Sequence, residues 1–312
     1  MAHPLTSRRS PILRIANILF LVIACGFLIW FFQHNRADVA RLLSEVRGGT
    51  VLFALGIFTL HQIVQGAGIA WLLRSLGVTT EFWDTVRVLL LSLLGKYLPG
   101  KIWIFTFRST FFAERGVPVR LVLAASAVEH LFVMTTAVIL FLATAPFSAL
   151  EGALRWLPAA GAIGLFAVLV FAPSILLALL NRGFRAIGRT PYEGRISSAQ
   201  GIRFSLFFTG TWVLLGAGVW VVGRSLIPAL GPDALPAVAG GYALSVVSGF
   251  VALFAPGGIG VREAILAGVL APWAGAVDAL FLAVAVRILT GVSEVLGLGV
   301  AELIVRLGGQ SR

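Results

Sequence analysis

Eight charged residues sit inside sequence that is otherwise largely apolar. Lys96, Lys101, Arg108, Arg262 and Arg287 are the cations; Glu129, Glu263 and Glu294 are the acids. Lys96 and Lys101 are the only lysines, every other cation being an arginine. A charge near the centre of a membrane helix costs roughly 2.5–3.5 kcal/mol on insertion scales, so eight unpaired ones would cost on the order of 20 kcal/mol. They must face one another, water or a ligand. The cations outnumber the acids, and a positive surplus that internal pairing cannot absorb predicts an anionic ligand.

Two breaks in the apolar sequence position these charges. One is Leu94-Gly95-Lys96-Tyr97-Leu98-Pro99-Gly100-Lys101-Ile102-Trp103; the other is Phe254-Ala255-Pro256-Gly257-Gly258-Ile259-Gly260-Val261-Arg262-Glu263. Both contain aromatic-x-Pro-Gly-x-Ile. Irregular backbone at membrane depth survives only where protein buries it or where it lines a wet cavity. Paired interruptions in the two halves of a membrane protein point to its binding site. A half-helix starting after each Pro-Gly turns free N–H groups and a positive dipole end toward that site. Gly257, Gly258 and Gly260 permit close backbone approach. Arg262 adds a forked donor suited to phosphate or carboxylate, and the lysines add mobile point charges.

The expected binding set is therefore Lys96, Tyr97, Pro99, Gly100, Lys101, Arg108, Pro256, Gly257, Gly258, Arg262, Glu263, Arg287 and Glu294. Glu129 and His130 form a candidate proton relay. Plainer readings stand beside these. Lys101 and Arg108 could snorkel to an interface. Arg262 and Glu263 could be a local pair. Arg287 and Glu294, on one helix face with Gly291, could pin helices together. Glu129, His130, His61 and Gln62 could make interhelical hydrogen bonds.

Composition fixes the class. Hydrophobic residues make up 59% of the 312, charged residues only 12%, and mean hydropathy is +0.98. Soluble domains carry about 25% charged residues. The chain reads as an all-α polytopic membrane protein with one transmembrane domain over 1–312. The net charge of +11 comes from arginines in short loops, which fits topology signals and attraction to anionic headgroups rather than nucleic acid. A single cysteine, Cys25, excludes an internal disulfide and a thiolate metal cluster. No cofactor or metal is expected.

Full spans are expected at 15–32, 51–73, 119–145, 157–180, 204–223 and 277–305. The first is read as retained rather than as a cleaved signal peptide. Pro173 is expected only to kink the fourth. The segments 86–98 and 101–112 are too short to cross, since about 12 helical residues cover about 18 Å of a core about 30 Å thick. They read as a re-entrant hairpin, and 237–254 with 263–273 as a second. With the N-terminus in the cytoplasm, the positive-inside rule puts Arg8, Arg9, Arg14, Arg74, Arg87, Arg115, Arg120, Arg306, Arg312 and the arginines of the 182–203 loop inside. Arg36, Arg41, Arg47, Arg155 and Arg224 then lie outside. Both termini are cytoplasmic, and the two hairpins enter from opposite sides. That is an inverted repeat with halves at about 12–145 and 157–306.

At the two breaks the sequence resembles the lysylphosphatidylglycerol synthase transmembrane-region family. The likeness rests on Gly-Lys-Tyr-Leu-Pro-Gly-Lys-Ile-Trp at 95–103, Arg108, and Ala-Pro-Gly-Gly-Ile-Gly-Val-Arg-Glu-Ala at 255–264, and it spans about 15–306. The flippase domain of the bacterial multiple peptide resistance factor is the family's best-known member. The resemblance implies a bacterial inner-membrane lipid translocase acting on aminoacyl-phospholipids, polyprenyl-phosphate glycolipids or hopanoid-type lipids. The chain stops at Arg312 without the soluble aminoacyltransferase domain of that factor, so synthase activity is not expected and the protein is read as no enzyme. The leading function is flipping a phosphate-bearing lipid through a cationic mid-membrane groove, with anionic lipid as partner and substrate. The alternatives are a small-anion secondary transporter, a polyprenyl-phosphate glycosyltransferase using Asp38 and Glu45, or a regulatory membrane partner. Against the transferase, the chain has no Asp-x-Asp pair. Gly297 and Gly299 could support a homodimer.

Overall fold

A computed structural model describes residues 22, 26, 29–75, 77–95, 103–144, 152–186, 188, 191, 196–252 and 254–309. Most of the expected first span, and the first break with Lys96, Tyr97, Pro99, Gly100 and Lys101, lie outside the described residues. Among the described residues every regular element is helical. They are α1 (Arg36–Glu45), α2 (Gly48–Ser75), α3 (Phe82–Leu94), α4 (Trp103–Ala113), α5 (Val119–Thr144), α6 (Leu157–Phe171), α7 (Pro173–Ala186), α8 (Ser198–Leu226), α9 (Leu235–Val251) and α10 (Val261–Gly309). Six helical stretches are long and apolar enough to cross a membrane. The chain is an all-α polytopic membrane protein.

Local sequence explains the boundaries. A capping box starts α8: the Gln200 amide donates to Ser197 Oγ, and the Ser197 amide donates back to Gln200 Oε1. Prolines open α6, α7 and α9, where a missing N–H costs nothing. Pro173 does more than kink the expected fourth span. Ala172 leaves helical geometry at φ −132° and ψ 46°, so α6 ends at Phe171 and α7 begins anew. A proline lacks the N–H that would continue the ladder, so it kinks or breaks a helix, and here the helix stops.

α2, α5, α8, α9 and α10 form the central bundle. α2 and α8 run antiparallel, because Phe58 fills the space beside Gly218 while Phe207 and Phe208 lie beside Gly68. A Cβ at Gly216 would fall 2.5 Å from the Ala239 Cα, so α8 and α9 touch backbone to backbone. Lipid tails offer no hydrophobic drive for helix association, and small residues supply this contact instead. Large apolar side chains such as Leu52, Ile163, Phe171 and Leu303 face outward.

The start of α3 and the end of α4 lie close together. Arg115, just past α4, lies 3.5 Å from Asp84 at the start of α3. α9 and the first part of α10 also run antiparallel. Gly249 packs on Gly258 and Arg262, and Gly241 packs on Val269. α10 then breaks at Gly275 (φ 72°, ψ 170°), three residues after Pro272. Its remainder runs from Asp278, bonded to Arg41 of α1, to Glu302, bonded to Arg87 of α3. The start of α3 therefore lies beside the Glu302 end of this stretch, and the break at Gly275 lies beside its Asp278 end. α9 together with the turn before it (Pro232–Val251) is long enough to cross, where the sequence predicts one limb, 237–254, of a second hairpin.

Candidate functional site

The second break is built from glycines that no other residue could replace without strain. Gly257, Gly258 and Gly260 have φ values of 60°, 72° and 83°, in the left-handed region. They turn the chain from α9 through the single turn Pro256–Gly258 into α10. Glu263 occupies the third position of α10 and accepts a hydrogen bond from the Gly260 amide at 2.6 Å. This is the acidic half of a capping box, with the carboxylate at the positive helix end. Arg287, near the middle of α10, reaches back to the break. It donates to the Gly257 carbonyl and lies 3.6 Å from Glu263 Oε1. Asp278 and Glu302 mark the two ends of the stretch after Gly275, and Arg287, with the break it touches, lies between them.

Arg262 turns the other way. Its Nη2 donates to the Tyr242 hydroxyl at 2.9 Å, and its guanidinium carbon stands 5.6 Å from the Tyr242 ring centre. Gly249 leaves room for its stem, since a Cβ there would fall 2.3 Å from the Arg262 Cγ. Among the described residues no carboxylate lies within 4 Å of Arg262. The expected local pair of Arg262 with Glu263 is thus not made. Adjacent helical residues point about 100° apart, and Glu263 is taken by Arg287.

The third cluster lies between α4 and α5. Arg108 is 1% exposed and donates to Ser92 Oγ at 2.9 Å and to Glu129 Oε2. It does not snorkel; its guanidinium is held in the protein interior by an equally buried carboxylate. His130 Nδ1 donates to the Ser126 carbonyl at 2.8 Å and lies 3.5 Å from Glu129 Oε2. A carbonyl only accepts, so Nδ1 carries a hydrogen. The imidazole sits between Phe105 and Phe250, with centroids 5.1 and 5.7 Å away.

These clusters border one cavity of about 1030 Å³, open solvent at its mouth included. α5 contributes Glu129 and His130, α9 contributes Tyr242 and Phe250, and the break contributes Gly257 and Arg262. α10 adds Thr290 and Glu294, and α2 adds His61, Gln62 and Gln65. Arg108, Glu263 and Arg287 support this wall from behind. Tyr242, Ser92 and Ser126 escaped the sequence reading. Tyr242 is one of three tyrosines, and its hydroxyl in an apolar helix was the available signal.

Asp38 and Glu45, the acid–base candidates for a transferase, lie on α1 outside this cavity. Both lean on Arg41, at 4.0 and 3.4 Å. The same arginine bonds Asp278 at 2.8 Å.

Among curated proteins none matches the chain. The family described as the lysylphosphatidylglycerol synthase TM region matches residues 17–297. A match over that share of a helical membrane chain, with both Pro-Gly breaks inside it, identifies the protein as a member of the lysylphosphatidylglycerol synthase transmembrane-region family.

Proposed function

We propose that the protein translocates a phosphate-bearing lipid across a bacterial cytoplasmic membrane. The headgroup binds Arg262 in the mid-depth cavity while the acyl tails stay in the bilayer. The observation that carries this reading is Arg262 itself. It is a guanidinium on a cavity wall, at a helix N-terminus, bonded to a tyrosine hydroxyl and, among the described residues, with no carboxylate within 4 Å. Helix N-termini and arginine forks suit phosphate oxygens. Membership in a family of lipid-related membrane domains agrees with it.

In this reading 82–113 and 235–274 are two re-entrant hairpins of opposite orientation. Support comes from the Asp84–Arg115 ion pair at one end and the antiparallel packing of Gly241 on Val269 toward the other. Both chain ends and the 182–203 arginines lie in the cytoplasm, and the halves rock about Arg262 to alternate access. The protein performs no bond-breaking chemistry.

The test is headgroup-labelled phosphatidylglycerol in proteoliposomes. Parent protein should move label between leaflets faster than empty vesicles. Arg262→Gln should slow this about tenfold, the value of one charge-assisted hydrogen bond. Equal rates for Arg262→Gln and parent would overturn the proposal.

A further inference from the structure

His61 and Gln62 are polar residues in the middle of an apolar membrane helix, only 6% and 5% exposed. Both line the cavity that holds Arg262. His61 Nδ1 and Gln62 Oε1 have no hydrogen-bond partner among the described residues. Buried polar atoms in native proteins are nearly always satisfied, so each exception calls for a reason. Packing alone does not supply one, because leucine or phenylalanine would fill the same space at lower cost.

We propose that this face of α2 is a hydroxyl-recognising subsite, so that the phosphate group bound at Arg262 carries a polyol or sugar extension. The proposal rests on the reading of Arg262 as the phosphate site. Gln65, one turn from His61 on α2, supplies a second amide to the same cavity. Thr211 and Thr290 spend their hydroxyl hydrogens on the Phe208 and Arg287 carbonyls, at 2.7 and 3.0 Å. What they turn to a ligand is acceptor capacity. The wall therefore offers amides that both donate and accept, and hydroxyls that accept. Phosphate oxygens only accept and would leave Gln62 Oε1 unmatched. An ammonium group only donates and would leave the amide hydrogens unmatched. Hydroxyl groups do both.

The full-length chain in detergent would be titrated with phosphatidylglycerol and with phosphatidylmethanol of the same acyl chains. Both are phosphodiester monoanions, and only the first carries headgroup hydroxyls. Parent protein should prefer phosphatidylglycerol about tenfold, corresponding to one or two neutral hydrogen bonds. Gln62→Leu should collapse that ratio toward one. The same change should leave thermal stability equal or higher, because it removes a buried acceptor without a partner. His61→Phe is the second variant and should also reduce the ratio. A parent ratio near one, a ratio unchanged in Gln62→Leu, or tighter binding of phosphatidylethanolamine would overturn the subsite. Soluble glycerol phosphate separates the two readings. If it binds with the same dependence on Gln62 while phosphatidylglycerol does not bind, the hydroxyl subsite stands and lipid translocation falls. If Arg262→Gln weakens neither lipid, the phosphate site fails and the subsite with it.

Discussion

Arg108 and Glu129 face each other almost without access to water, each only 1% exposed. Neither can be removed alone cheaply, because the survivor would be a bare charge in the protein interior. Breaking such a pair costs about 3–5 kcal/mol, whereas replacing both partners with apolar residues is often neutral. Glu129→Gln should therefore lower the thermal midpoint sharply in detergent, and Arg108→Met with Glu129→Leu should recover most of the loss. If the single and double variants melt alike, the pair is not what holds α4 to α5. That these eight charges need partners is legible in the sequence, since the cost of bare charge in hydrocarbon is independent of fold. Which partners they take is not. Arg108 and Glu129 are 21 residues apart, and Arg287 reaches a carbonyl 30 residues away. Only the packing of α4 on α5, and of α10 on its own beginning, brings those atoms together. The tempting neighbours Arg262 and Glu263 diverge because helical geometry points them apart.

At the scale of elements, the turn 256–260 is the joint on which Arg262 is mounted. Its three glycines have positive φ, and Gly258 also touches α9, where an added Cβ would lie 2.8 Å from the Gly249 Cα. Gly258→Ala therefore meets both a left-handed backbone penalty of about 1–2 kcal/mol and a backbone clash that no rotamer relieves. The expected result is a folded but less stable protein in which Arg262 has moved, so phosphatidylglycerol binding should weaken more than the melting point falls. Native-like binding by Gly258→Ala, measured by the same titration, would show that the joint does not set the site. This break is readable in advance because Pro-Gly-Gly inside an apolar run admits little else. The break at Gly275 is similarly foreshadowed by Pro272 and the gap between the expected segments 263–273 and 277–305. The division at Ala172 is not. A proline in a membrane helix is compatible with either a kink or a stop, and the choice depends on whether neighbours satisfy the freed carbonyls.

For the whole molecule, the ion pairs fall at two ends. Arg41 with Asp278 marks one, and Arg87 with Glu302 and Arg306 marks the other, together with Asp84 and Arg115. α2 and α8 are antiparallel, so the exposed Ser44, just before α2, and the exposed Ser198, at the start of α8, lie at opposite ends. The structure fixes this opposition and leaves open which end is cytoplasmic. The orientation proposed above follows the positive-inside rule, because Arg182 and Arg185 at the end of α7, Arg189 and Arg195 after it in the sequence, and Arg203 in α8 cluster before and around the start of α8. The segment before α2 holds Arg36, Arg41 and Arg47, but Arg41 is neutralised by Asp38, Glu45 and Asp278 around it. In a Cys25→Ser background, Ser44→Cys should react with a membrane-impermeant maleimide in intact cells. Ser198→Cys should react only after permeabilisation. The reverse pattern would turn the protein over and make the proposed 82–113 hairpin enter from outside. Labelling of both in intact cells would contradict the antiparallel bundle itself, and with it the two-sided access on which translocation depends.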